Sequence, residues 1–317
     1  MWIDILWLVL GLAVLIAGGE FLVKGAIGIA ARAKLSTLVI GMTVVSFGTS
    51  APELLVSLKA AYMEVPEITI GNVIGSNIAN IALVLGLTAI IFPMPVSRNS
   101  IIFDWPMMML SGLLFFAFSF GGQIERWHGA VLFVLLVAFL YFLIRNSRRK
   151  TKRKEEQLDD EELAIQASSR KPAWQSIVFL LVGLVGLYFG ARWLIDGAIN
   201  IGEHAGMSEH VIAITIVAFG TSVPELVTSV VAAYKKEMDI SVGNLIGSNI
   251  FNVMAVIGLT AMVMPIRVDH KVVTWDMVWM LAIFAALLPM MLIKRKIGRI
   301  SGILLLVAYF VYIFLLF

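Results

Sequence analysis

The chain has 317 residues, of which 60% are hydrophobic and only 14% are charged, and its formal net charge is +3. A soluble domain carries roughly 25% charged residues, and the mean hydropathy of this chain is +0.95. The chain contains no cysteine, which excludes disulfides and thiolate metal sites. The composition therefore predicts an all-α membrane protein, and we expect neither enzymatic activity nor nucleic-acid binding.

Ten membrane spans are predicted from apolar runs of about 20 residues, the length of a helix that crosses a bilayer. The first run carries Asp4 where a cleaved signal peptide would carry Lys or Arg, so it is predicted to be a span. The predicted spans are residues 2–29, 36–62, 68–92, 101–121, 126–145, 173–202, 208–234, 240–264, 272–293 and 299–317. A polar linker at 146–171 separates five spans in residues 1–145 from five in residues 172–317.

Lys and Arg are distributed unequally between the alternate loops. One set of loops holds 18 of these residues and the other set holds 3. Because basic loops stay on the cytoplasmic side of a membrane, we expect the linker at 146–171 to be cytoplasmic and both termini to be external. The expected location is the cell membrane, either an inner or a plasma membrane.

The two halves of the chain are internal repeats. With a constant offset of 172, residues 41–96 align with residues 213–268 without a gap, and 29 of the 56 positions are identical. Since five spans is an odd number, the second half must enter the membrane in the opposite direction to the first. The sequence thus predicts two inverted five-helix repeats, an architecture of alternating-access transporters that bind their substrate between the repeats.

Each repeat contains a helix that is interrupted at membrane depth. The segments SFGTSAPELLVS (46–57) and AFGTSVPELVTS (218–229) place a proline and a glutamate in an otherwise apolar run. A proline has no N–H group, so one backbone carbonyl of the helix loses its partner. Such a carbonyl is tolerated inside a membrane only where protein, water or an ion satisfies it.

Polar side chains recur at helical spacing beside both interruptions and along the spans that follow them. In the first half these are Thr49, Ser50, Glu53, Ser57, Asn72, Ser76 and Asn80, and in the second half Thr221, Ser222, Glu225, Ser229, Asn244, Ser248 and Asn252. This set contains oxygen ligands and no His, Cys or basic residue, which favours hard cations such as Ca²⁺. Two carboxylates neutralise one Ca²⁺, and the same oxygens could hold several Na⁺ instead. Competition for shared ligands favours exchange of the two ions over their cotransport.

The motifs GTSAPE with GSNIAN, and GTSVPE with GSNIFN, resemble the two α-repeats of the cation/Ca²⁺ antiporter superfamily, in its Na⁺/Ca²⁺ exchanger branch. The resemblance covers essentially the whole chain. It implies a ten-helix inverted-repeat fold, Na⁺-driven Ca²⁺ export, and long first and sixth spans that slide across the site. It also implies ion ligation by Glu53 and Glu225, with further contacts from Thr49, Thr221, Ser50, Ser222, Ser76, Ser248, Asn80 and Asn252.

Two other transport functions stay open from the sequence. A Ca²⁺ (or other cation)/H⁺ antiporter could carry protons on Glu53 and Glu225. A K⁺-dependent Na⁺/Ca²⁺ exchanger would be expected to carry an acid where several family members have Asp, at the position of Asn252, whereas Asn80 and Asn252 are both neutral here. We expect Ca²⁺ and Na⁺ as transported substrates, no resident cofactor, and a functional monomer in the lipid bilayer.

Overall fold

The computed structural model describes residues 2–63, 67–155, 172–204, 220 and 222–316, and these are mostly helical. The helices are α1 (Trp2–Ala33), α2 (Thr37–Thr49), α3 (Ala51–Tyr62), α4 (Ile68–Ile91), α5 (Ser100–Ser119), α6 (Arg126–Glu155), α7 (Ala173–His204), α8 (Val223–Tyr234), α9 (Met238–Val263), α10 (Val272–Arg295) and α11 (Arg299–Leu316). Four two-residue strands join them: β1 (Met94–Pro95), β2 (Gln123–Ile124), β3 (Ile266–Arg267) and β4 (Lys296–Ile297).

The prediction of a helical membrane protein is confirmed. Eight of the described helices are long and apolar enough to cross a membrane, and the bent pair α2 and α3 raises that number to nine. Helix α8 is the described part of the predicted span 208–234, and it is apolar but short. Most of the remainder of that span, including Thr221, lies outside the described residues. The count of ten spans therefore stays a prediction.

Helix α6 continues to Glu155, beyond the predicted end of the fifth span at residue 145. Its last turns contain several Arg and Lys residues. These residues favour the helix because their long side chains lose little rotamer freedom in it. The first part of the predicted linker thus extends a membrane helix as a basic helical end.

Helices α4 and α9 form the centre of the bundle. Within their most apolar stretches 72% and 83% of the residues are buried, whereas the other long helices reach at most 33%. These two helices carry the polar stripes that contain Ser76 and Asn80 in α4, and Ser248 and Asn252 in α9. Because polar side chains facing lipid are costly, their central position follows from their sequence.

Helices α1 and α7 pack against each other in antiparallel directions along glycines spaced seven residues apart. The facing pairs are Gly11 with Leu194, Gly18 with Leu187, and Gly25 with Leu180. A methyl group on Gly18 would lie 3.0 Å from the carbonyl oxygen of Gly183, so only glycine permits this approach. Gly18 thus serves the close packing of α1 and α7.

Each short strand of the first half pairs with a short strand of the second half. β1 pairs with β4, so that Met94 faces Ile297, and β2 pairs with β3, so that Ile124 faces Ile266. β1 corresponds to β3 at an offset of 172, and β2 corresponds to β4 at an offset of 173. Exchanging the halves therefore converts one strand pair into the other.

Exchanging the two halves of the chain also converts one close helix contact into another. A methyl group on Gly86 of α4 would lie 3.0 Å from the carbonyl oxygen of Gly302 in α11. A methyl group on Gly258 of α9 would lie 3.2 Å from the carbonyl oxygen of Gly129 in α6. Small residues allow membrane helices to approach this closely, and Gly86 and Gly258 serve this packing.

Candidate ion site

The helix interruption predicted in the first half is present, and in the second half the residue before α8 has the matching backbone conformation. Helices α2 and α3 meet at Ser50 with a bend of 42°, and Ser50 has φ −86° and ψ 3°. Ser222, directly before α8, has nearly the same backbone conformation, with φ −89° and ψ 0°. Pro52 and Pro224 are each the second residue of the helix that follows. A proline is tolerated there because the first N–H groups of a helix have no intrahelical acceptor.

The two predicted glutamates lie one turn after these interruptions and are completely buried. Glu53 and Glu225 both have 0% of their surface exposed. The hydroxyl of Ser50 donates a hydrogen bond to Oε1 of Glu225 at 3.5 Å, which joins the first half to the second. Because Ser50 lies one turn before Glu53, this bond places both carboxylates in the same part of the bundle.

Hydroxyl and amide groups connect the end of α2 with α9, and α9 with α4. Thr49 at the end of α2 lies 3.4 Å from the hydroxyl of Ser248 in α9. The amide nitrogen of Asn252 in α9 donates to the hydroxyl of Ser76 in α4 at 3.0 Å. Asn252 begins a π-helical segment of α9, and Asn80 lies in the corresponding segment of α4. Single π-helical turns of this kind are frequent at functional sites.

Several oxygens of this cluster receive no hydrogen bond from the described residues. They are both carboxylate oxygens of Glu53, the second carboxylate oxygen of Glu225, the side-chain oxygens of Asn80 and Asn252, and the hydroxyl of Ser222. A buried acceptor without a donor costs about 1–3 kcal/mol. Nine of the ten predicted site residues are buried in the described part of the chain, Thr221 lies outside it, and ion ligation by these residues stays a prediction.

Two pairs of residues support the site symmetrically. The amide nitrogen of Asn72 donates to the hydroxyl of Ser57 at 3.3 Å, and that of Asn244 donates to the hydroxyl of Ser229 at 3.3 Å. Each pair ties a central helix to the interrupted helix of its own half. Among the described residues, no three or more His, Cys, Asp or Glu side chains are grouped so that they could hold a metal ion together. A cation here would therefore be held by two carboxylates and neutral oxygens.

Ser46 belongs to this network although the repeat comparison does not reveal it. Its hydroxyl donates to the carbonyl oxygen of Gly41 at 2.7 Å and lies 3.0 Å from that of Asn244. In the aligned repeat its counterpart is Ala218, so a search for matched polar positions overlooks it. Its spacing of three and seven residues from Thr49 and Glu53 was the signal that could have identified it.

A cavity of about 280 Å³ lies between α7 and the two interruptions. Its lining includes Thr49, Pro52 and Pro224 from the interrupted segments, and Leu184 and Tyr188 from α7. Beside this cavity, side chains of α7 pack directly on the interrupted segments, Leu184 against Gly48 and Ile195 against Gly220. Movement of α7 relative to the breaks would change the access to the buried oxygens.

Comparison with known proteins places this geometry in one family. The family model described as "Sodium/calcium exchanger protein" matches residues 3–145 and 175–317. The chain is 36% identical over 323 residues to "Putative antiporter CaxA" of Alkalimonas amylolytica, covering 100% of this chain and 99% of that protein. It is 30% identical over 345 residues to "Sodium/calcium exchanger MaX1" of Methanosarcina acetivorans, covering 99% of both proteins.

A solved structure has the same fold. The sodium-calcium exchanger NCX_Mj, in crystals soaked with zero Na⁺ and Ca²⁺, superposes with a TM-score of 0.84 at 33% sequence identity, covering 99% of both chains. The family-model match on both halves agrees with the repeated motifs around Glu53 and Glu225. The chain belongs to the sodium/calcium exchanger family.

Proposed function

We propose that this protein exchanges Na⁺ for Ca²⁺ across a membrane by alternating access, and that it exports Ca²⁺ at the expense of the Na⁺ gradient. Three of the four carboxylate oxygens of Glu53 and Glu225 receive no hydrogen bond from the described residues, and this observation supports the proposal most directly. A buried carboxylate without a partner is costly. One Ca²⁺ supplies the two positive charges that this pair lacks.

The neutral oxygens of the cluster complete the ligand set. Ca²⁺ binds about six to eight oxygens, and the side chains of Thr49, Ser222, Asn80 and Asn252, which carry hydroxyl and amide oxygens, are buried. Thr221 joins them by its place in the repeated motif. Na⁺ uses the same type of ligand, so the two ions compete for one set of oxygens. This competition couples the two fluxes in opposite directions.

Alternating access requires two halves of opposite orientation, and we infer ten spans as two inverted five-helix repeats, residues 1–145 and 172–317. The antiparallel packing of α1 and α7 supports this inference because these helices occupy the same place in the two halves. The exchange of strand pairs between β1–β4 and β2–β3 supports it as well. Together with the basic residues of the linker, it orients both termini outward and residues 146–171 toward the cytoplasm.

Transport by the purified protein tests the function. In proteoliposomes loaded with Na⁺, dilution into Na⁺-free medium should drive uptake of radioactive Ca²⁺, and an imposed pH gradient alone should not. Ca²⁺ uptake that follows the pH gradient and ignores the Na⁺ gradient would replace this function by cation/H⁺ antiport. That alternative has one observation in its favour, since the unpartnered carboxylate of Glu53 could be neutralised by a proton.

The expected transport unit is one chain in the bilayer. Residues of both halves meet within the single chain at Ser50 with Glu225 and at Ser76 with Asn252. A second subunit is not needed to bring these side chains together. Transport by protein reconstituted at less than one chain per vesicle would support a functional monomer.

A further inference from the structure

A second pocket lies away from the ion site, at one face of the bundle. It has a volume of about 200 Å³ and lies where α2 and α5 begin and where the basic end of α6 passes them. Its inner walls are apolar and include Leu38, Val39 and Phe139. Because the pocket contains neither Glu53 nor Glu225, the proposed exchange does not use it.

Asp104 lines this pocket and is 99% buried, with 1% of its surface exposed. Neither of its carboxylate oxygens receives a hydrogen bond from the described residues. The hydroxyl of the neighbouring Ser100 lies 3.0 Å from the hydroxyl of Ser97, and either of these two groups can be the donor. A carboxylate buried in this way requires a donor from elsewhere.

The corresponding position in the second half has the donor that Asp104 lacks. Asp276 aligns with Asp104 at an offset of 172, and it accepts a hydrogen bond of 3.0 Å from the hydroxyl of Tyr312. At the offset of 173 that relates Gly129 to Gly302, the counterpart of Tyr312 is Phe139. Phe139 lines the same pocket as Asp104 but has no hydroxyl to donate.

The mouth of the pocket carries the opposite charge. Lys150 of α6 lies at the mouth, and its ammonium group donates to the side-chain oxygen of Asn99 at 2.8 Å. Beside it, the aromatic rings of Phe103 and Phe142 are 5.7 Å apart and partly exposed on the outer surface of the bundle. The pocket thus combines a buried carboxyl group, a positive charge at the mouth and an apolar wall that faces lipid.

We propose that this pocket binds the headgroup of a phosphatidylethanolamine molecule from the adjoining leaflet. The primary ammonium of the lipid donates to the carboxylate of Asp104, and its phosphate lies against Lys150. The ammonium offers three N–H donors to the two unpartnered oxygens, whereas the quaternary ammonium of phosphatidylcholine offers none. The acyl chains follow the exposed rings of Phe103 and Phe142.

Competition between lipids tests the proposal on the purified full-length protein. The protein is exchanged into micelles with equal amounts of phosphatidylethanolamine and phosphatidylcholine, and the retained lipids are counted by native mass spectrometry. We expect the wild type to retain one ethanolamine lipid per chain. Asp104→Asn and Phe139→Tyr should each lower its enrichment about tenfold, the scale of one lost charge-assisted hydrogen bond.

Phe139→Tyr is the decisive variant because it places in the first half the hydroxyl that Tyr312 provides in the second. The new hydroxyl can donate a hydrogen bond to Asp104, and the substitution removes no charge. Asp276→Asn is the matched control, since its carboxylate already has a donor, and it should leave retention unchanged. Equal retention of both lipids by the wild type, or unchanged retention in Phe139→Tyr, would overturn the proposal.

Lys150 itself is the alternative occupant, because its side chain could turn inward to Asp104. The variant Lys150→Gln separates the two cases. It lowers retention of the ethanolamine lipid if Lys150 holds the phosphate, and it raises retention if Lys150 blocks the pocket. A rise would overturn the proposal. Free phosphoethanolamine added in excess should not displace the lipid, because it lacks the acyl chains that contact the apolar wall.

Discussion

Replacing Glu53 by Gln should make the ion-free protein more stable and should remove its stabilisation by Ca²⁺. Both carboxylate oxygens of Glu53 are buried without a donor from the described residues. At about 1–3 kcal/mol for each unsatisfied acceptor, the side chain costs the ion-free protein roughly 2–6 kcal/mol. Glutamine has the same shape, carries no charge and brings its own donor, so we expect a gain of about 2 kcal/mol, the lower end of that range.

Calcium should stabilise the wild type but not Glu53→Gln. A ligand that binds only the folded protein stabilises it by about 2.7 kcal/mol at a concentration of 100 times its Kd. The wild type should gain this amount when Ca²⁺ replaces a chelator, and Glu53→Gln should gain almost nothing. The assay is thermal unfolding in detergent, with and without Ca²⁺ at constant ionic strength.

Asp276→Asn provides the matched control, because it also removes a carboxylate from a membrane helix but lies outside the ion site. Its carboxylate accepts a hydrogen bond from Tyr312, so its loss should lower ion-free stability slightly and leave the Ca²⁺-dependent gain intact. Our reasoning would be refuted if Glu53→Gln kept the full gain from Ca²⁺. A loss of ion-free stability in Glu53→Gln would equally refute the cost that we assign to its bare oxygens.

Three further predictions concern transport and topology. Glu225→Gln should abolish Na⁺-driven Ca²⁺ flux while the protein remains folded in the membrane, and near-normal flux would assign this side chain a structural role. Na⁺-driven Ca²⁺ flux should persist when choline replaces K⁺ on both sides, because K⁺ beside Ca²⁺ would leave one uncompensated positive charge in the buried site. Asn252→Asp should then strengthen the binding of monovalent ions. The measurement is the Na⁺ concentration that half-inhibits Ca²⁺ binding, which should be lower in this variant. A cysteine in place of the exposed Arg149 should be protected from impermeant thiol reagents added to intact cells, and one in place of the exposed Gly121 should be labelled; the opposite pattern would invert the topology.

The sequence predicted the local features of the site better than its contacts. A proline and a glutamate in an apolar run, as at Pro52 and Glu53, have few physical explanations, and the interruption lies where it was expected. The hydrogen bond between Asn252 and Ser76 could not be predicted. Helical spacing shows which side chains share a face, but it does not show which other helix that face contacts.

The asymmetry between the halves was likewise outside the reach of the repeat comparison. Repeats draw attention to matched residues, and 29 identical positions define most of the site. Ser46 is itself unmatched, because it aligns with Ala218, and Asp104 has an unmatched neighbour, because the ring of Phe139 stands where Tyr312 supplies a hydroxyl. Such differences become informative only when the surrounding side chains are known.

The crossed strand pairs have a consequence for the order in which the protein is made. When the first half has left the ribosome, β1 and β2 still lack their partners, because those partners are β4 and β3 of the second half. The hydroxyl of Ser50 likewise lacks its acceptor, the carboxylate of Glu225, at that stage. The helices of the first half, α1 to α6, must therefore persist in the membrane as an open intermediate, and translation of the last helices closes both ends of the molecule.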